Sequence, residues 1–240
     1  MRLAGDPPIT VRETMETPTR ADAAYEALRR AIIEQALAPG AKLREDEIGA
    51  HFGVSRTLAR AALSRLQSEG LVDAQRKRVA TVASPSVEEA RAIFEVRRCL
   101  ERETVRLVVE RWSPEMAARL LAHVDEEDEA ARRGDAAAAG RLAGEFHIVL
   151  AGLTGNPLLA RYVSEVVSRS SLILAVHGRP HQSDCATAEH RGVIAALAAR
   201  DADRAAALMA AHLAAVTARA LPETPTAPAT LSDVLARYAG

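Results

Sequence analysis

The chain has 240 residues, a formal net charge of −1, two cysteines and 3% aromatic residues. That length holds one large domain or two modest ones. Two cysteines make no disulfide framework, and no apolar run is long enough to span a bilayer. The first twenty residues carry prolines and acids and no apolar core segment, so they do not form a signal peptide. A cytoplasmic protein is expected. Alanine-rich, aromatic-poor composition favours packed helices over sheets.

Charge is distributed unevenly. Residues 53–78 hold six basic and two acidic side chains, a local excess that suits phosphate even though the chain as a whole is neutral.

Residues 1–19 are expected to be a disordered arm. Residues 21–36 form a first helix, with Ala24, Leu28, Ala31 and Ile32 on one stripe, ended by Pro39-Gly40. Residues 45–52 form a short second helix closed by Gly53. The stretch GVSRTLARAALSRLQSEGLV, residues 53–72, has the pattern of the second half of a helix-turn-helix. Ser55 caps the new helix, which runs from about Thr57 to Glu69. Leu58, Ala62, Leu63 and Leu66 give it an apolar face, and Gly70 stands at the C′ position. Arg56 and Arg60 lie one turn apart at its exposed N-terminal end, beside Thr57. Recognition helices present their N-terminal residues to the major groove. Leu71-Val72, the basic tip Gln75–Arg78 and Val79–Val82 then make a β-hairpin, a wing whose cations reach phosphate or the minor groove.

These elements resemble the GntR family of bacterial transcription regulators. The matching residues are PGAKLREDEIGAHFGVSRTLARAALSRLQSEGLV, 39–72. Leu58-Ala59 stands where the family has Pro-Val, Ala61 where it has Glu, and Val79 where the wing has a glycine. The resemblance implies DNA contact by Arg44, Ser55, Arg56, Thr57 and Arg60, and by Arg76 and Arg78 in the wing.

Ser84-Pro85-Ser86 begins a linker over residues 84–88, with Ser86 placed to cap the next helix. Six helices follow, over about 86–111, 114–133, 135–153, 157–177, 184–200 and 202–220, separated by short Gly, Pro and Asp breaks. Such lengths and loops suit an antiparallel all-helical bundle. Residues 222–240 are a tail in which Ser232–Tyr238 could add a short helix. EVRRCLE (95–101), EFHIVLAGLTGNPLL (145–159) and EHRGVIAALAARDADRAAALMAAHL (189–213) resemble the FCD effector domain of the FadR-like branch of these regulators. The expected architecture is mainly α: a winged helix-turn-helix at 20–83 and an FCD-like effector and dimerisation domain at 89–221.

His147, His190 and His212 each fall on or beside an inward helix face. Spacing alone favours histidines that are simply part of a polar core, since no His-x-x-x-His pair is present. The resemblance shifts the balance. Metal-binding FCD domains use an Asp or Asn, a His four residues later, and two further histidines on the last two helices. The histidines match, but the carboxylate position is Ala143, and Glu145 is the wrong step along the helix to replace it. The implied cofactor is a divalent transition metal, zinc or nickel foremost, held by three histidines with open positions.

Arg97 shares an otherwise mostly apolar face with Ile93, Leu100 and Thr104. It needs an anion, either Glu101 one turn on or the carboxylate of an effector. The resemblance favours an organic acid. The function expected is a homodimeric, effector-controlled regulator of a palindromic operator. One alternative is a helical half that serves only for dimerisation, its metal site decayed. A metal-dependent hydrolase is a weaker one, because it leaves the winged helix unexplained.

Overall fold

A computed structural model describes residues 19–74, 78–178 and 184–221, with the side chains of Asp184 and Cys185 left out. The expected arm, the C-terminal tail and the wing residue Arg76 lie outside the described residues.

The N-terminal head contains α1 (Arg20–Ile33), β1 (Lys42–Leu43), α2 (Glu45–Phe52), α3 (Arg56–Ser68), β2 (Val72–Asp73) and β3 (Ala80–Val82). Thr19 and Asp22 form a capping box at the start of α1. Gly53 closes α2 in the left-handed region, at φ 64°. Ser55 caps α3 by accepting from the Leu58 N–H. These caps fix where each helix begins and therefore which residues the turn presents. Helix α1 stops at Ile33, short of the expected 36, and Gln35 beyond it adopts φ 62°.

The wing is an antiparallel pair, Val72 opposite Val82 and Asp73 opposite Thr81. A strand not evident in the sequence joins it: β1 pairs with β3, Leu43 opposite Ala80, giving the order β1-β3-β2. Two residues of β-pattern are too few for periodicity to detect.

Ala24, Tyr25, Leu28 and Ile32 are the buried residues of α1. Tyr25, Leu28 and Ile32 share one core with Ala59, Ala62, Leu63 and Leu66 of α3, closed by Leu43, Leu71 and Val82. Leu58 does not belong to that face. It is 44% exposed, and Ala59 takes the inward position. Helix α3 begins at Arg56, and the arc that meets α1 starts one residue later than the Leu58 pattern implied.

The second unit contains α4 (Val87–Arg111), α5 (Pro114–Arg132), α6 (Ala136–Gly152), α7 (Pro157–His177), α8 (Asp184–Ala198) and α9 (Ala202–Ala220). Ser86 and Glu89 form a capping box on α4, and Ser113, Asp135, Asn156 and Asp201 cap four of the others. The helices close a ring: α4 packs on α7, α7 on α6, α6 on α5, α5 on α8, α8 on α9, and α9 back on α4. Val105, Leu120, Phe146, Leu150, Leu197 and Leu213 fill much of its interior. Each such side chain stabilises the fold by roughly 1.5–3 kcal/mol through removal from water. No helix among the described residues is long and apolar enough to cross a membrane.

The head rests on this ring. Leu172 of α7 is fully buried within the head's own core cluster.

Candidate metal centre and nucleic-acid interface

Inside the ring, α6, α8 and α9 bring His147, His190 and His212 together, at 2%, 0% and 4% exposure. The ring centroids of His147 and His190 are 5.4 Å apart, those of His147 and His212 5.1 Å, and those of His190 and His212 4.8 Å. Phe146 stacks on His190 with a centroid separation of 4.0 Å and fixes its plane.

Each imidazole is held at its outer nitrogen by a carboxylate. His147 Nδ1 bonds to Glu101 of α4. His190 Nδ1 lies 2.9 Å from Glu127 of α5, and His212 Nδ1 lies 2.6 Å from Glu189 of α8. These pairs tie α4 to α6, α5 to α8 and α8 to α9. An Nδ1–H donated outward leaves the Nε2 lone pair facing the centre. The Nε2 atoms of His147 and His212 are 3.2 Å apart, and His190 Nε2 is a buried side-chain atom with no hydrogen-bond partner.

The electrostatics keep the three rings neutral at pH 7. Burial pushes His147 down to about 4 against the pull of Glu101. Burial and the neighbouring His147 likewise take His212 to about 4. His190 falls well below its ordinary value, chiefly through burial and then through His212. All three rings are therefore neutral at pH 7. Burial would raise Glu101, but His147 and Arg97 outweigh it and hold the carboxyl at about 2. Glu127 is pushed up to about 7 by burial, which His123 and His212 only partly offset.

An N–H···N hydrogen bond can satisfy the His147–His212 pair, but the buried His190 Nε2 has no such partner, and a cation between the three rings would engage all of them. One ligand atom from each histidine falls within 4.8 Å of the others, so this cluster could hold a metal ion. The 3.2 Å Nε2 separation is close to the roughly 3.3 Å edge of a tetrahedron with metal–nitrogen distances of about 2.0–2.1 Å. Carboxylates behind ligating histidines are the usual means of fixing tautomer and ring direction. The residues fit a bound transition ion.

Beside the histidines is a cavity of about 440 Å³. Gly140, Ala143 and Gly144 of α6 border it, and their small side chains leave the space open. Ala143 supplies no ligand atom, as expected from its type. Arg97 also borders the cavity, but its Nε donates to Glu101 at 2.6 Å in a pair that is almost wholly buried. The local partner weighed in the sequence is thus the one Arg97 uses, and through Glu101 it braces His147.

Glu101 is expected from the sequence as a partner of Arg97 but not of His147, and the roles of Glu127 and Glu189 are not expected from it. Glu189 could have been found, since it precedes His190. Glu127 sits in the acidic run 125–129, where nothing local separates it from its solvated neighbours.

The head's basic residues are at the opposite extreme of exposure. The side chains of Arg56, Arg60 and Arg44 are 72%, 66% and 53% exposed, and Thr57 and Arg78 are exposed as well. Arg60 forks onto Glu45 of α2 with contacts of 2.7 and 2.8 Å, while Arg56 stands 3.9 Å from the same carboxylate. A pairing across fifteen residues has no local signature in the sequence.

A winged helix set on an all-helical ring defines a DNA-binding transcription regulator with an effector domain, and the comparisons agree. Residues 20–82 match the family described as bacterial regulatory proteins, gntR family, and residues 92–215 match the FCD domain. The chain belongs to the GntR family of transcription regulators, in the branch that carries an FCD domain. It is similar to the Nta operon transcriptional regulator of Aminobacter aminovorans, 29% identical over 177 residues that span 73% of this chain and 82% of that one. The transcriptional regulator YdhC of Bacillus subtilis is 25% identical over 191 residues, 78% and 85% of the two chains. Among solved structures, E. coli McbR/YncC has the same fold, with a TM-score of 0.75 at 22% identity over 85% of this chain and 98% of that one. A GntR transcriptional regulator of Rhodococcus sp. RHA1 aligns with a TM-score of 0.73 at 26% identity over 86% and 99%. These relatives are regulators, and this chain is a regulator rather than an enzyme.

Proposed function

We propose that the protein is an effector-controlled regulator that binds a palindromic operator as a homodimer, and that its helical ring holds a divalent transition metal, zinc or nickel, beside a small organic acid. The observation that carries this reading is the converging, carboxylate-backed Nε2 set of His147, His190 and His212 at the side of the 440 Å³ cavity. When bound, such an ion supplies a Lewis-acidic positive charge for a ligand carboxylate. The protein's own residues do the rest. Burial keeps the imidazoles neutral, and Glu101, Glu127 and Glu189 hold them by their Nδ1 atoms and direct them inward. Phe146 fixes the His190 plane. Arg97, beside the cavity, adds positive charge toward a ligand carboxylate while bracing Glu101.

On the head, Arg56, Thr57 and Arg60 meet base edges, and Arg44, Ser55, Arg76 and Arg78 meet phosphate or the minor groove. Two heads related by a twofold axis place two such helices in successive major grooves. Effector control is then a difference in ligand affinity between two arrangements of the heads.

Elemental analysis of protein purified without a His-tag or added metal tests the reading, with His190→Ala beside it. About one metal per chain in the parent and none in the variant is expected. No metal in either, even after reconstitution, would leave the ring as a dimerisation module with a polar histidine core, the reading that Ala143 favours.

A further inference from the structure

The cavity beside the histidines is not walled by the ring alone. Gln35 of the head borders it too. Gln35 stands two residues beyond α1, exposed at the mouth, whereas His147 at the inner side is buried. Its φ of 62° lies in the left-handed region, which among the described non-glycine residues only Arg200 shares.

The corner is pinned in place. The Gln35 N–H donates to the Ile32 carbonyl at 3.1 Å, and the Leu37 N–H donates to the Ala31 carbonyl at 3.0 Å. Next to it, Glu34 accepts from Arg141 Nε at 2.8 Å, and Arg141 Nη1 donates to Glu145 at 2.7 Å. Arg141 and Glu145 bracket the cavity-lining stretch of α6 that contains Ala143 and Gly144. On the other wall, Ser171 of α7 borders the cavity. The same helix binds the head through Arg29 to Ser168 at 2.6 Å and Arg169 to the Glu69 carbonyl at 2.9 Å. Glu69 is the C-terminal cap of the recognition helix α3. Both walls of the cavity are thus fastened to the head, one at the end of α1 and one at the end of α3.

We propose that the head is part of the ligand site: Gln35 is a ligand-contacting, specificity-determining residue, and occupancy is passed to α3 through the corner held by Glu34 and Arg141. The proposal rests on the reading of the cavity as a carboxylate site, and it narrows the ligand class. An acid held at its inner end by the histidines needs a second polar group at the mouth, a hydroxyl or another carboxylate, because an amide both donates and accepts. A ligand too short to reach Gln35 binds without moving the head.

Two measurements on the full chain test this. Citrate is titrated by calorimetry into zinc-loaded parent, Gln35→Ala and Gln35→Glu. Binding at least about fivefold weaker in Gln35→Ala, and weaker still in Gln35→Glu, is expected, with zinc content unchanged. Equal citrate affinity in all three overturns the contact. Separately, Gln35→Cys in a Cys99→Ser, Cys185→Ser background is labelled with 2-sulfonatoethyl methanethiosulfonate, which tethers an anion at the mouth. Affinity for a short random-sequence duplex is then read by fluorescence anisotropy, with label on Arg119→Cys of α5 as the control. A shift of about fivefold or more at position 35 alone supports the coupling, and no shift overturns it. If citrate binds no variant while the label at 35 shifts DNA affinity, the carboxylate reading fails and the coupling stands.

Discussion

The exposed arginines of the head and the buried histidines of the ring solve opposite problems. Arg56 and Arg60 stand in water, and the proposed partner, DNA, brings its own charge. They need few neighbours, and Glu45 alone engages both. His147, His190 and His212 have lost water already, so everything they require comes from the chain: three carboxylates, a stacked phenyl ring and a guanidinium behind one of the carboxylates. A surface site can therefore be carried by a short local motif. The interior cluster is spread over five of the six helices, and each of its imidazoles depends on a supporting carboxylate from elsewhere in the chain.

Removing the metal should break the comparison most completely. On the proposed reading, a chelator removes the ion from between the three imidazoles and leaves the head as it was. A ligand present at about a thousand times its Kd stabilises the folded chain by about 4 kcal/mol, so calorimetry should show a lower melting temperature after stripping. His190→Ala should melt at the same temperature with or without chelator. A parent whose melting is indifferent to both chelator and added zinc would count against the site.

Arg60→Ala is the matching test on the head. Losing a bidentate guanidinium costs about 1–3 kcal/mol and relaxes specificity at the base it meets. A selected operator should be bound roughly ten- to hundredfold more weakly, with metal content unaltered. Operator affinity equal to that of the parent would mean that another face of the head meets DNA.

The two regions also differ in how far they could be recognised from sequence. The head's helices, caps and turns are local: Ser55, Gly53 and Gly70 each act within a few residues of themselves, so their pattern is visible in a string. Leu58 misled because one apolar residue lies just off the buried arc, and a small residue, Ala59, fills the inward position without announcing itself. Strand β1 was missed because its signal lies in its partner, Ala80-Thr81, not in Lys42-Leu43. In the ring, the histidines could be chosen by type and face. Their pairing with Glu101 and Glu127 could not, since those carboxylates are 46 and 63 residues from the rings they hold. Such pairs depend on how the helices are ordered around the ring, and periodicity gives no access to that order.

Glu101→Gln sharpens the distinction between ligand and support. The amide keeps the shape and can still accept from His147, but it removes the charge that Arg97 and His147 share. Loss of such a supporting carboxylate weakens metal affinity by about 10–100-fold. The competing-chelator titration that measures this should find one site still present, unlike in His190→Ala. Affinity equal to the parent's would make Glu101 a structural partner of Arg97 only.

The smallest expected effect joins the two regions. Burial would raise the Glu34 carboxyl, but hydrogen bonds from Arg141 and Arg30 outweigh it and hold the group below its ordinary value. A folded value below the unfolded one means that the unfolded chain takes up the proton first as pH falls. The clamp's contribution is therefore complete above about 4.5 and is lost as pH drops through the folded value. Glu34→Gln should lower stability slightly at pH 7 and flatten its decline across that acid window, as followed by urea titration at several pH values. The same variant should leave zinc content in place, because the three histidines are held by Glu101, Glu127 and Glu189 and not by Glu34. If the parent and Glu34→Gln show the same acid decline, the head is seated on the ring by Leu172 and the α7 contacts alone, and the charge pair at the corner contributes nothing to holding it there.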